Sequence, residues 1–399
     1  AVAFGADIIA KAHGTAAIHL VAAYSEAIAP ALDALGLRHG LRFELLDGFL
    51  YPGHSVRRMH ALPERTGAAL MAALEGAAEA AGATLVTQAR VHELWCTDAD
   101  RVLGIGYERP DGKVEHLACD VLLLASNGFG ANPAMVREWL PAMRDATYAG
   151  HAGNDGSAIA WARQLGLRLA DLGGYQGHGS WAVPQGALIS WALMTEGGVQ
   201  VNARGARFHD ESQGYSEAAV QVLAQRGGVA WNVFDDRLLS LARSFPDFRD
   251  AEAAGALRSA IDAAGLAEII KCPVPALQAT LEAVRPGAPD AFGRRFRRAL
   301  GAPLHAVKVT GALFHTQGGP DIDAGMHVLR ADATPLPNLL AAGGAARGVS
   351  GNAVWGYLSG NGLLSAVAGG YIAARSAAAQ LNPGLAAVWR EPSDIVDRP

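Results

Sequence analysis

Three glycine turns crowded into one late stretch constrain the fold of this chain more than any other feature. They are His315-Thr316-Gln317-Gly318-Gly319, then Pro337-Asn338-Leu339-Leu340-Ala341-Ala342-Gly343-Gly344, then Gly356-Tyr357-Leu358-Ser359-Gly360-Asn361-Gly362-Leu363-Leu364. A short apolar strand runs into one glycine loop, and the last turn opens a long helix of small residues. Backbone N–H groups at such a helix start are uncovered and carry the positive end of the helix dipole, so they suit the electron-rich edge of a ligand.

A chain of 399 residues, half of them hydrophobic, with a mean hydropathy of +0.14, can bury a large core and is expected to form two domains rather than one. The formal net charge of -5 shows no basic excess, which argues against a nucleic-acid or anionic-membrane partner. Cys96, Cys119 and Cys272 stand far apart, so neither a metal site nor a disulfide framework is expected, and a reducing, cytoplasmic setting is the default. The small-apolar run from Leu363 to Ala374 is too short to span a bilayer, and no membrane span is expected. The opening Ala-Val-Ala-Phe-Gly-Ala-Asp fits neither a signal peptide nor an intact start.

Apolar residues at helical spacing from Ala16 to Leu35 predict one long helix closed by a glycine cap at Gly36. Arg42 to Leu46 reads as a strand. A helix over Gly67 to Ala81 is expected to lead into strands at Thr84-Leu85-Val86 and Val91-His92-Glu93-Leu94. Val102 to Tyr107 and Val114 to Leu117 flank Pro110-Asp111-Gly112-Lys113, a hairpin signal, so Gly104 and Gly106 belong to a strand. The apolar Cys119 to Ala125 predicts a strand in a sheet covered on both faces, ending at Ser126-Asn127-Gly128-Phe129-Gly130. Helices are expected near Gly156 to Leu165, Ser216 to Arg226, Asp236 to Arg243 and Val274 to Val284. Val307 to Phe314 and Leu339-Leu340-Ala341 are expected to return to the first sheet. The order implies an α/β class, with one discontinuous domain (1–140 and 305–380), an inserted α+β cap (141–304) and a tail (381–399).

Five motifs stand in a fixed order: Ala125-Ser126-Asn127-Gly128-Phe129-Gly130, Gly153-Asn154-Asp155-Gly156, Gly205-Ala206-Arg207-Phe208-His209-Asp210-Glu211, His315-Thr316-Gln317-Gly318-Gly319 and Ser359-Gly360-Asn361-Gly362-Leu363. Together they resemble the FAD-dependent fumarate reductase and succinate dehydrogenase flavoprotein superfamily, which includes tricarballylate-type and 3-ketosteroid dehydrogenases. The resemblance covers nearly the whole chain. It implies a Rossmann-like FAD-binding domain with an inserted capping domain, and an active site between the two.

Two departures matter. The family's opening G-x-G-x-x-G loop and ribose-binding acid do not occur before Ala16, so the chain resembles a member lacking its first several dozen residues. The family's A-A-G-E glutamate is Gly344 here. The resemblance places FAD against Ser126, Asn127, Gly128, Asp155, Gly156, Gly343 and the run Ser359, Gly360, Asn361, Gly362, Leu363 and Leu364, with Val91 pairing its backbone with the adenine. Ordinary turn chemistry is the alternative reason for the same glycines.

The two arginines that hold a dicarboxylate in fumarate reductases fall on Tyr215 and Tyr357, and the proton-relay arginine has no equivalent. Tyrosines occupy the same positions in 3-ketosteroid dehydrogenases. The resemblance therefore implies that Tyr357 holds a developing enolate oxygen, that Tyr215 exchanges the α-proton, and that His178 and His315 donate to a carbonyl or carboxylate oxygen. A tyrosine acts readily as an acid; as a base it needs a lowered pKa, which a nearby His178 or His315 could supply. Core packing is the alternative for all four. Arg207 and Glu211 are expected to form a buried ion pair, while His54, Arg58 and His60 form a basic cluster that is either substrate-facing or solvated. Trp181, Trp191 and Trp355 are read as core packing before pocket lining.

The expected function is FAD-dependent hydride transfer at an activated C–C bond of a small carbonyl or carboxylate compound, with an unspecified electron acceptor or donor. A fumarate-reductase-like carboxylate reductase, with Arg58 or Arg347 entering the site, and a non-catalytic fragment unable to hold FAD are the alternatives.

Overall fold

The computed structural model describes residues 1–48, 50–97 and 101–382, so most of the expected tail 381–399 lies outside the described residues. The chain divides into two compact units. The first is built from 1–129, 153–174 and 316 onward, and the second from 130–152 and 175–315. Residues 153–174 thus join the first unit, although they fall inside the span expected for the cap.

In the first unit, strand Leu122–Leu124 pairs in parallel with strand Pro335–Ala341, placing Leu339 opposite Leu122 and Ala341 opposite Leu124. Strand His327–Leu329 pairs antiparallel on the other side of Pro335–Ala341. The sheet is not covered on both faces throughout: Leu124 is buried but Leu123 is exposed. The early helix runs Ile18–His39, past the expected stop. Gly36 stays inside it, and Gly40, in the left-handed conformation (φ 73°), closes it instead. By length and composition this helix could cross a membrane. Its Leu20, Val21 and Tyr24, however, are buried in one core with Leu124, Leu339, Leu340 and Leu364.

The final helix, Asn361–Leu381, packs on that early helix. The hairpin is formed by Val102–Glu108 and Val114–Ala118, with Arg90–Cys96 added at its edge. Thr84-Leu85-Val86 is irregular rather than a strand, and Leu85 and Val86 point outward. Buried Asn338 staples hairpin to sheet, accepting from Val102 N (2.9 Å) and donating to the carbonyls of Val102 and Asp120 (2.8 Å each).

The second unit is a seven-stranded sheet around the long strand Leu304–Thr316. This corrects the expectation that Val307 to Phe314 rejoins the first sheet. The strand pairs antiparallel with Val229–Asp235 over seven residues and has Tyr175–Ala182 on its other side. An apolar strand records that it is buried, not which sheet buries it. Helix Tyr215–Leu223 lies tight against strand Tyr175–Ala182: a Cβ at Gly179 would meet Ala218 at 2.7 Å. That close approach sets Tyr215 beside His178.

Candidate active site

In the first unit the parallel strands Leu122–Leu124 and Pro335–Ala341 both end at glycine loops, and Ala342 N donates to Leu124 O (3.1 Å). Carboxyl ends of parallel strands are where α/β sheets bind ligands. Gly128 is wedged against Thr316, whose Oγ1 accepts from Phe129 N (3.2 Å) and would collide with any Cβ at 128. Gly156 N donates to Gly128 O (3.1 Å), and Asp155 Oδ1 accepts from Ser157 N (3.0 Å). Ser126, Asn127, Gly128, Asp155 and Gly156 are thereby stitched into one rim, with Ser126, Asn127 and Asp155 exposed. Asn127 takes a left-handed φ of 62°, and its Oδ1 fills the space a side chain at Gly344 would need.

A buried chain of side chains ties the later loops together: Asn361 Nδ2 donates to Ser350 Oγ (3.2 Å), which donates to Gln317 Oε1 (3.0 Å). Gly343 (φ 63°) starts its turn, and Gly360 (φ 91°) starts the final helix without a side-chain cap. Leu364 is buried, Leu363 exposed and Gly362 half-buried. Among the described residues buried Asn361 Oδ1 has no hydrogen-bond partner, an acceptor open to a donor from outside the chain. Beside Ser359, Gly360 and Leu363 lies an apolar cleft of about 330 Å³, walled also by Phe4, Leu32 and Met59. Val91 sits on the edge strand of its sheet, so the outward side of its backbone lies outside the ladder.

Tyr357 is buried, with the backbone N–H groups of Gly362 and Gly360 hydrogen-bonded at its hydroxyl. Burial raises its pKa and outweighs the lowering by those two groups, so the phenol keeps its proton.

His54, expected in a basic cluster either substrate-facing or solvated, is buried. It accepts from Arg58 at Nδ1 (2.9 Å) and donates from Nε2 to Ser359 O (3.0 Å), which props the last glycine loop. Burial is the main cause of its lowered pKa, which leaves it neutral. Arg58 is bound to Asp7, and Arg347 to Asp171 (2.6 Å) and Asp321 (3.2 Å). No sequence signal marked the contact of His54 with Ser359 O, which lies 305 positions away.

In the second unit His178 and Tyr215 come together, stacked with centroids 4.8 Å apart and planes at 18°. Trp191 meets the imidazole edge-on at 5.8 Å, and Phe314 lies 5.7 Å away. Burial alone pushes the His178 pKa down to about 3. The ring is therefore neutral. His315 follows Phe314 at the strand end, half-buried. Arg207 and Glu211 form the expected buried pair (2.6 Å), extended by Arg294 on Glu211 (2.7 Å) and Asp290 on Arg207. Trp191 donates to Glu211 O (3.1 Å) and Trp181 packs on Phe314, while in the first unit Trp355 stacks on His13.

The FAD binding domain family model matches residues 4–363. The chain belongs to that family. This flavoprotein is 28% identical over 319 residues to a probable fumarate reductase Ifc3 of Shewanella frigidimarina, covering 78% of its own length and 53% of that relative's. It thus spans about half of that protein. Among solved structures it resembles the open conformation of a flavocytochrome c3 fumarate reductase (TM-score 0.77, 26% identity, 96% of this chain and 67% of that one). It also shares its fold with a 3-ketosteroid-Δ4-(5α)-dehydrogenase from Rhodococcus jostii RHA1 (TM-score 0.71, 22% identity, 95% of this chain and 83% of that one). The residues present suit the family's cofactor. Close-packed glycine loops at the ends of parallel strands leave room for backbone contact, and Asn361 offers an unused buried acceptor.

Proposed function

We propose that the chain is an FAD-dependent oxidoreductase that reduces the C=C bond of an α,β-unsaturated carbonyl compound. Ser126 to Gly128, Asp155, Gly156, Gly343 and Ser359 to Leu364 hold the flavin, and the backbone of Val91 holds its adenine. Bound FAD supplies hydride at the β-carbon. His178, His315 and Tyr357 donate hydrogen bonds to the carbonyl oxygen as enolate charge develops, and Tyr215 passes its proton to the α-carbon.

The observation that carries the direction is the neutral, buried His178 stacked on Tyr215. A tyrosine hydroxyl ordinarily carries its proton at neutral pH, so such a pair is suited to giving a proton rather than taking one. Carbonyl is favoured over dicarboxylate because Arg58 and Arg347 are each occupied by aspartates. The relatives' names favour a second reading, an unsaturated carboxylate as acceptor.

The test is anaerobic: the flavin of the purified holoprotein is chemically reduced, and its reoxidation is followed with enones, cyclic enones, acrylate and fumarate. Fast reoxidation by enones is expected. Reoxidation by fumarate alone would replace the carbonyl reading with the carboxylate one, and a chain that retains no flavin would overturn both.

A further inference from the structure

Around His178 the structure holds one peptide group from both ends. Ser180 N donates to His178 Nδ1 (3.1 Å), and the carbonyl of that same peptide, Gly179 O, accepts from Gln200 Nε2 (2.7 Å). The orientation of the Gln200 amide is set independently. Its Oε1 lies 2.8 Å from His209 Nε2, and its Nε2 also donates to Asn232 Oδ1 (2.9 Å), while Asn232 donates to Ser180 Oγ. Gln200 N in turn donates to Glu211 Oε1 (2.9 Å), anchoring the network in the Arg207–Glu211–Arg294 cluster. Gln200 and Asn232 are completely buried and Ser180 equally so.

We propose that Gln200 is a positioning residue for His178: by clamping the Gly179–Ser180 peptide it keeps an N–H on Nδ1, confines the ring proton to Nε2, and makes His178 a neutral hydrogen-bond donor rather than an acid. The inference rests on the proposed role of His178 towards a substrate oxygen. An occupied Nδ1 acceptor leaves one tautomer for a neutral imidazole. A carbonyl that accepts from Gln200 polarises its peptide and strengthens the N–H it shares with His178. Burial disfavours the doubly protonated ring as well, and no charged group adds to that effect.

The test is NMR of the full flavin-loaded chain with 15N-labelled histidine, with His178 assigned by the signals lost in His178→Asn. Expected is a protonated Nε2 and a bare Nδ1, without titration from about pH 8 to about pH 5. A protonated Nδ1, or titration near ~6.5, overturns the proposal. In Gln200→Glu a carboxylate oxygen would face Gly179 O, and a second tautomer signal should appear, with kcat down roughly ten- to a hundredfold and KM little changed. Should that variant fail to fold, Ser180→Ala removes the acceptor of Asn232 while keeping the peptide; it is expected to show a weaker version of the same spectral change. An unchanged His178 spectrum in whichever variant folds also overturns the proposal. The spectrum does not depend on turnover, so a wrong substrate reading would leave it intact.

Discussion

Tyr357 illustrates how burial chooses between two uses of one phenol. Its hydroxyl meets the N–H groups of Gly360 and Gly362, which favour a phenolate, yet desolvation wins and keeps it protonated. A protonated hydroxyl whose oxygen already accepts from N–H groups is the better donor to an enolate. Tyr357→Phe should therefore lower kcat by about a hundredfold or more, as loss of one oxyanion donor does, with flavin absorbance retained; turnover at the wild-type rate would exclude the role. The position of this tyrosine was legible because it stands inside a glycine motif. The role of His54 was not, since its partner Ser359 O is a backbone atom far along the chain. Nor was the neutrality of His178, which only the closure of Trp191, Tyr215 and Phe314 around it creates.

Among elements, the join between Gly128 and Thr316 fixes how closely the strand end and the later glycine loop approach. Gly128→Ala should cost about 1–3 kcal/mol by overpacking and weaken flavin retention, measured by denaturant unfolding and by the flavin released on gel filtration. Thr316→Ala in the same chain should restore part of both losses, because it removes the oxygen the new methyl group meets. Additive losses would show that the contact does not govern the loop. Glycine turns of this kind read well from sequence because few other residues tolerate their geometry. Helix ends read less well: Gly36 and Gly40 are equivalent as letters, and only the left-handed turn at Gly40 ends the helix. Partner choice read worst, as strand Leu304–Thr316 shows, because burial pattern alone does not encode which sheet receives a strand.

At the scale of the whole molecule, three buried histidines make stability depend on pH. His54, His178 and His209 all have pKa values lowered chiefly by burial. The unfolded chain binds protons at these sites near ~6.5 while the folded chain does not. Their contribution is thus complete above that pH and is lost as pH falls, by up to about 1.4 kcal/mol per pH unit for each such site. Urea midpoints should drop between about pH 7.5 and about pH 4.5, before most carboxylates titrate; a flat profile would contradict the neutral state of His178. The division into two units also bears on biosynthesis. Among the described residues strand Leu122–Leu124 finds its parallel partner in Pro335–Ala341, and residues 175–315 of the second unit are made in between. On the ribosome the nascent first segment must wait, its apolar strand edge unpaired, while a later-made unit completes itself. Until strand Pro335–Ala341 follows, that edge is open to misassembly with other unpaired strands.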